Sequence, residues 1–147
     1  MGGEEQELRS RAVRAFVFMT RLFEYECRDL DVSLAQYRLL LYLRHGPKRA
    51  GELAAQASIT RPSLSTLIAN LESRGWIRRR EVDDDGRGVS LELSRKGFGA
   101  IVRVEKRFGE VFESASSDCN AERLGNALNE LAGHLTHQIE ARVRAGG

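Results

Sequence analysis

A mainly α chain with one small β-hairpin is predicted by three features of the sequence. Apolar residues recur at three- and four-residue steps over most of the 147 positions, strict alternation of apolar and polar residues occurs at one place, and an Asp- and Gly-rich turn precedes it. The order of the parts reads as a winged helix-turn-helix with long N- and C-terminal dimerisation helices: two helices, a helix pair joined by a short turn, the hairpin, then two long helices.

Each element follows from local chemistry. The first helix is expected from about Glu4 to Asp29, with Leu8, Ala12, Ala15, Phe16, Met19, Leu22 and Phe23 forming an apolar stripe. Ser33 is a good N-cap for a second helix, which Gly46-Pro47 ends because proline cannot continue the ladder. A short third helix is expected from about Ala50 to Gln56. Ser58-Ile59-Thr60 then breaks the pattern, and Thr60 caps a fourth helix with Pro62 in its first turn and Leu64, Leu67, Ile68 and Leu71 on one face. Gly75 closes that helix. Trp76–Val82 and Val89–Leu93 read as strands around the turn Asp83-Asp84-Asp85-Gly86-Arg87-Gly88, and no other part of the chain shows β character. Ser94 caps a fifth helix bearing Ile101, Val104, Phe108, Val111 and Phe112, and a sixth carries Leu124, Leu128, Leu131, Leu135, Ile139 and Val143. The expected division is an N-terminal dimerisation helix (1–32), a DNA-binding lobe (33–94) and C-terminal dimerisation helices (95–147).

Composition narrows the function. With 41% apolar and 30% charged residues the chain can bury a core and keep large solvated faces. It has no apolar run of the roughly 18 residues a membrane span needs, so no membrane partner is expected. Met1-Gly2-Gly3-Glu4-Glu5 is acidic and polar, unlike a signal or transit peptide, and cytoplasmic residence is expected. Cys27 and Cys119 are too few and too far apart for a disulfide scaffold or a zinc motif. His45, His134 and His137 complete no metal set, so neither metal nor cofactor is expected. The net charge of +2 is unevenly spread: residues 44–80 hold eight basic and two acidic residues, net +6, leaving −4 on the remainder. Such a concentration of positive charge is the footprint of a polyanion binder.

Four stretches in order carry a family resemblance. They are Leu34-Ala35-Gln36-Tyr37-Arg38-Leu39-Leu40, then Leu71-Glu72-Ser73-Arg74-Gly75-Trp76-Ile77-Arg78-Arg79, then Asp85-Gly86-Arg87-Gly88, then Leu91-Glu92-Leu93-Ser94-Arg95-Lys96-Gly97. Together they resemble the MarR (multiple antibiotic resistance regulator) family, with its D-x-R wing tip and L-(S/T)-x-x-G start to the following helix. Asp83 and Asp84 depart from the family pattern, which commonly has a proline near here. The resemblance implies a homodimeric transcriptional regulator that binds double-stranded DNA at a palindromic operator.

The residues themselves suit that work. On the fourth helix, Arg61, Ser63, Ser65, Thr66 and Asn70 lie away from the apolar stripe, and short polar side chains with one arginine can reach base edges in a major groove. Lys48, Arg49, Ser58 and Thr60 are candidate phosphate contacts. Arg87 at the hairpin tip can enter a minor groove, with Asp85 orienting it or capping the turn. Of Arg78, Arg79 and Arg80, alternate members point opposite ways, so not all three can reach DNA. The three long helices carry more apolar surface than the central lobe can bury, which calls for a second copy across a two-fold axis.

The expected function is a repressor released by a small aromatic or phenolic ligand. In the resembled family such ligands often bind between the dimerisation helices and the DNA-binding lobe. All three tyrosines fall between Tyr25 and Tyr42, and with Arg21, Arg38 and His45 they make Arg21, Tyr25, Tyr37, Arg38, Tyr42 and His45 a candidate site for an aromatic acid, a phenol or a thioester of one. The same tyrosines could instead stiffen the junction between dimer core and lobe. Two other readings stand beside it. Cys27 could be a redox sensor, although the family's sensor cysteines tend to lie nearer the start of the first helix and a free cysteine commonly packs as a small hydrophobe. The winged helix could also serve protein–protein assembly. An enzyme is not expected, since no nucleophile–base pair, metal set or phosphate loop is visible.

Overall fold

The computed structural model describes residues 2–81 and 89–145. Six helices surround a small sheet in the order α1 (Gly3–Asp29), α2 (Leu34–Arg44), β1 (Lys48–Arg49), α3 (Ala50–Ala57), α4 (Arg61–Ser73), β2 (Ile77–Glu81), β3 (Val89–Leu93), α5 (Arg95–Ala115) and α6 (Ala121–Ala145).

The helix boundaries are written in side-chain chemistry. Ser33 and Gln36 form a reciprocal capping box at the start of α2: the Gln36 amide donates to Ser33 Oγ at 3.0 Å, and the Ser33 amide donates to Gln36 Oε1 at 2.8 Å. Thr60 caps α4, whose second residue is Pro62, and Ser94 Oγ caps α5 by accepting from the Gly97 amide at 3.0 Å. At the other end of α4 the chain turns through Gly75 at φ +69°, and the Trp76 amide returns to the Leu71 carbonyl at 2.9 Å. That backbone is the left-handed helix stop in which a Cβ is costly, and it seats Trp76 on the Leu71 side of the core.

One expectation is corrected. β character is not confined to the hairpin: Lys48 and Arg49 form a third strand, β1, and the sheet runs β1-β3-β2, all antiparallel. Lys48 faces Leu91 and Arg49 faces Ser90, while Ile77–Glu81 of β2 pair with Leu93–Val89 on the other side. Two residues of this composition carry no strand signal of their own. The unpaired edge of β3 supplies the donors and acceptors that hold them extended.

The core lies where α2, α4, α5 and the sheet meet. Leu39, Leu40, Leu53 and Ile101 are each 0% exposed, and burying side chains of this size contributes roughly 1.5–3 kcal/mol apiece. Cys27, Phe23 and Val32 tie the end of α1 to this core, and Phe23 stacks on Phe108 of α5 with ring centroids 4.1 Å apart. The rest of α1 is different. Leu8, Val13, Phe16, Val17, Phe18 and Leu22 are 41–69% exposed, and no residue of α6 is buried within the single chain.

Candidate nucleic-acid interface

The lobe presents α4 with its apolar side locked into the core through Leu64, Ile68 and Leu71. Arg61, Ser63, Ser65 and Thr66 are therefore exposed together over the first two turns. Their hydroxyls are not idle. Ser65 Oγ donates to the Arg61 carbonyl at 3.0 Å and Thr66 Oγ1 to the Pro62 carbonyl at 3.2 Å, which leaves the oxygen lone pairs and, on rotation, the protons available to a ligand. Asn70 is exposed one turn further on, but its Oδ1 accepts from Gln36 Nε2 at 2.7 Å, so this side chain links α4 to the start of α2.

Of the candidate phosphate contacts, Lys48 and Arg49 are set by β1, and Glu52 accepts the Arg49 amide at 2.6 Å, fixing the start of α3. Ser58 takes the left-handed conformation at φ 53° in the turn between α3 and α4, and Thr60 is exposed at the α4 cap. These residues and the first turns of α4 belong to one continuous stretch, Lys48 to Thr66. Arg87 and Asp85, the wing-tip residues, lie outside the described residues.

The arginine run on β2 alternates as a strand must. Arg78 and Arg80 share Glu92 of β3, whereas Arg79 turns to the α4 side and makes two bonds to Glu72, at 2.7 and 3.1 Å. That bidentate carboxylate holds the Arg79 guanidinium above its ordinary pKa. Glu72 and Glu92 did not figure among the expected site residues. The cross-strand pairing of Arg78 with Glu92 is a signal that the hairpin register could have supplied.

The six candidate ligand residues are split between four places. Tyr25 is exposed on α1, where Arg21 donates to its hydroxyl at 3.1 Å and both Arg21 and Arg28 lie over its ring. Tyr37 packs edge-on against Phe108 at 5.5 Å, and burial, with the Glu105 carboxylate next, pushes its hydroxyl up to about 12. Tyr42 points elsewhere: its hydroxyl donates to the Gln56 backbone carbonyl at 3.0 Å. Arg38 is exposed on α2. Tyr42 and His45 share a concavity, a cavity of about 300 Å³ between α2, α3 and α6 whose walls include Leu41, Lys48, Gln56, Ile139 and Glu140. Gln56 Oε1 is buried there without a hydrogen-bond donor. The α6 residues and Gln56 were not expected, because nothing local in sequence brings α6 back to α3.

Cys27 is buried, and desolvation, with Glu24 next, raises its thiol above the ordinary range. A thiol so placed resists forming the thiolate that a sensor needs. Cys119 is exposed. Among the described residues no group of three or more His, Cys, Asp or Glu side chains could hold a metal ion, and no helix is long and apolar enough to cross a membrane.

A capped helix in the second position of a helix-turn-helix, beside a three-stranded basic sheet, defines a winged-helix protein. Comparison with known proteins agrees. A MarR family model matches residues 30–88. The homoprotocatechuate degradative operon repressor of Escherichia coli is 25% identical over 117 residues, 79% of this chain and 74% of that protein. Among solved structures, Sco3205 of Streptomyces coelicolor, a MarR family transcriptional regulator in complex with DNA, superposes with a TM-score of 0.69 at 26% identity, over 94% of this chain and 89% of that one. The transcriptional regulator Tm0710 of Thermotoga maritima does so with a TM-score of 0.69 at 27% identity, over 91% and 98%. The matched region spans the helix-turn-helix lobe, and over most of its length the chain is similar to MarR family regulators.

Proposed function

We propose that the chain is a homodimeric repressor that binds double-stranded DNA at a palindromic site, with Arg61, Ser63, Ser65 and Thr66 of α4 reading the major groove. The observation that carries this reading is the exposed, short-chain polar face over the first two turns of α4, on a helix whose other face is locked in the core. Lys48, Arg49, Ser58 and Thr60 flank it as phosphate contacts, and Arg87 with Asp85 supplies the wing tip. The DNA bound to Sco3205 supports the same use of the fold here. The exposed apolar faces of α1 and α6 support dimerisation through segments 1–32 and 95–147, around a lobe at 33–94. The chemistry proposed is recognition, without catalysis.

The test is fluorescence anisotropy on duplexes recovered by sequencing DNA that co-purifies with the protein. Arg61→Ala is expected to weaken binding by about 1–3 kcal/mol with an unchanged melt. Affinity should fall steeply with salt as phosphate contacts release counterions. A flat salt response would remove DNA as the ligand and favour protein–protein assembly.

A second reading, release of DNA by a small aromatic acid or phenol, is favoured by the cavity between α2, α3 and α6. Its cation Lys48, the imidazole of His45, apolar Leu41 and Ile139, and unpartnered Gln56 Oε1 suit a planar acid with a donor group. The Escherichia coli relative, named for an operon that degrades an aromatic acid, makes this class the first to try. Benzoate, salicylate, hydroxycinnamates and their coenzyme A thioesters should raise the melting temperature and release DNA. Release by thiol oxidation instead would favour the redox reading.

A further inference from the structure

Arg78-Arg79-Arg80 is the densest cationic run of the chain, yet each of the three is paired with an acid. Arg78 Nε bonds to Glu92 Oε1, and Arg80 Nη1 lies 3.7 Å from Glu92 Oε2. Glu92 stands directly opposite Arg78 in the β2–β3 register. Its side chain is only 17% exposed, against 70% and 65% for the two arginines. On its other side Glu92 borders a recess that Arg44 of α2 and Arg95 of α5 also line. One half-buried carboxylate is thus paired with two exposed arginines.

A carboxylate that accepts from one guanidinium group and pairs electrostatically with a second competes for the cations a phosphate would use. The arginines are long, exposed and able to swing away. Glu92 is shorter and less exposed, and its backbone is fixed on the central strand of the sheet opposite Arg78 of β2. An arriving phosphate can displace it from the arginines but cannot send it out of range. Its charge stays to oppose the phosphate after the arginines have moved.

We propose that Glu92 is an internal competitor for nucleic-acid phosphate, holding Arg78 and Arg80 in the free protein and thereby setting the affinity and salt dependence of duplex binding. The inference rests on the DNA-binding reading above. Glu92→Gln keeps the size of the side chain and removes the charge. The probe is a fluorescein-labelled duplex of mixed sequence, about 30 base pairs long so that it spans two half-sites one helical turn apart, titrated across a salt series.

Glu92→Gln should bind about three- to thirtyfold more tightly at low salt, and its log–log salt slope should steepen by about one to two per protomer as Arg78 and Arg80 gain phosphate contacts. Adding Arg78→Ala and Arg80→Ala to Glu92→Gln should bring the slope back to that of the wild type. Unchanged or weaker binding by Glu92→Gln, with wild type still binding, would overturn the inference and leave the DNA-binding reading standing. Absence of binding by either protein at the lowest salt, with cooperative melts, would remove both. A second measurement does not depend on the folding of Glu92→Gln. Arg78→Ala/Arg80→Ala in the wild-type background should flatten the slope by less than about one per protomer, since those cations are already occupied, and a loss of about two would overturn the proposal.

Discussion

Among the described glycines, Gly97 is the one whose replacement by alanine is expected to be most damaging. A Cβ at Gly97 would lie 2.0 Å from the Trp76 carbonyl oxygen, 2.9 Å from its carbon and 2.8 Å from Leu93 Cδ1. Two of these three atoms are backbone, and that backbone is pinned, because the Trp76 carbonyl accepts the Ser94 amide at 3.0 Å. Ser94 Oγ, in turn, donates to the Gly75 carbonyl at 2.7 Å and caps Gly97. Relief therefore requires the first turn of α5 to lift from the start of β2, disturbing all three bonds. Overpacking costs about 1–3 kcal/mol. The disturbed cap adds about 1 kcal/mol, and the strained hydrogen bond about 1 more. The better helix propensity of alanine offsets about 1 kcal/mol. The net is a loss of about 2–4 kcal/mol, or about 4–16 °C in melting temperature at this chain length. Trp76, the one tryptophan and 4% exposed beneath the Arg74 guanidinium at 3.7 Å, reports on the same contact. Circular-dichroism melts and tryptophan emission should show a lower midpoint and a red shift in the folded state. Gly99→Ala, where the nearest atom is the flexible end of Arg103 at 4.0 Å, serves as the control and should be neutral or stabilising by up to about 1 kcal/mol. A Gly97→Ala midpoint within the error of wild type, with unshifted emission, would refute the reasoning.

Three further outcomes are expected. Tyr37 keeps its proton in the fold up to about 12, so the folded state binds more protons than the unfolded one above the ordinary tyrosine value, and stability should fall as pH rises through about 10 to 12; ultraviolet titration should show a late-ionising tyrosine that Tyr37→Phe removes. A thiol reagent should modify the exposed Cys119 at once and the buried Cys27 only on unfolding, and rapid reaction at Cys27 in the Cys119→Ser variant would reopen a redox role. Leu135→Asp, at a site 46% exposed in the single chain, should dissociate the proposed dimer in analytical ultracentrifugation, whereas an unchanged sedimentation profile would place the interface away from this position.

What could be read from the sequence was what local chemistry decides. Ser33, Thr60, Ser94 and Gly75 each fix an element boundary through bonds within a few residues, and the boundaries follow them closely. β1 was illegible because its pairing belongs to a strand over 40 residues away, so Lys48 and Arg49 are extended by their neighbour and not by their own preference. The tyrosines are dispersed in the single chain for a different reason. Tyr37 and Tyr42 are five residues apart on one helix, which at 3.6 residues per turn sets them about 140° apart, so nearness in sequence implied divergence in space. Asn70 matched the polar face by type, but only the folded chain brings Gln36 across to engage it. The apolar stripe of α6 was plain from its spacing, while what covers it is not supplied by the single chain.

The strand order has a consequence for how variants of this protein will behave. In β1-β3-β2 the arginine-bearing β2 is an outer strand, with one row of backbone groups that no strand of its own sheet satisfies. Such a margin is a template for a second chain, and crowding it with like charges is a way to keep copies from zipping together. Arg78, Arg79 and Arg80 give that margin a charge barrier whatever else they touch. Replacing all three with alanine to probe one contact would also open the margin to self-association. Precipitated protein would then mimic a lost ligand site, so Arg79 is left in place in the Arg78→Ala/Arg80→Ala variants and light scattering is recorded beside every titration.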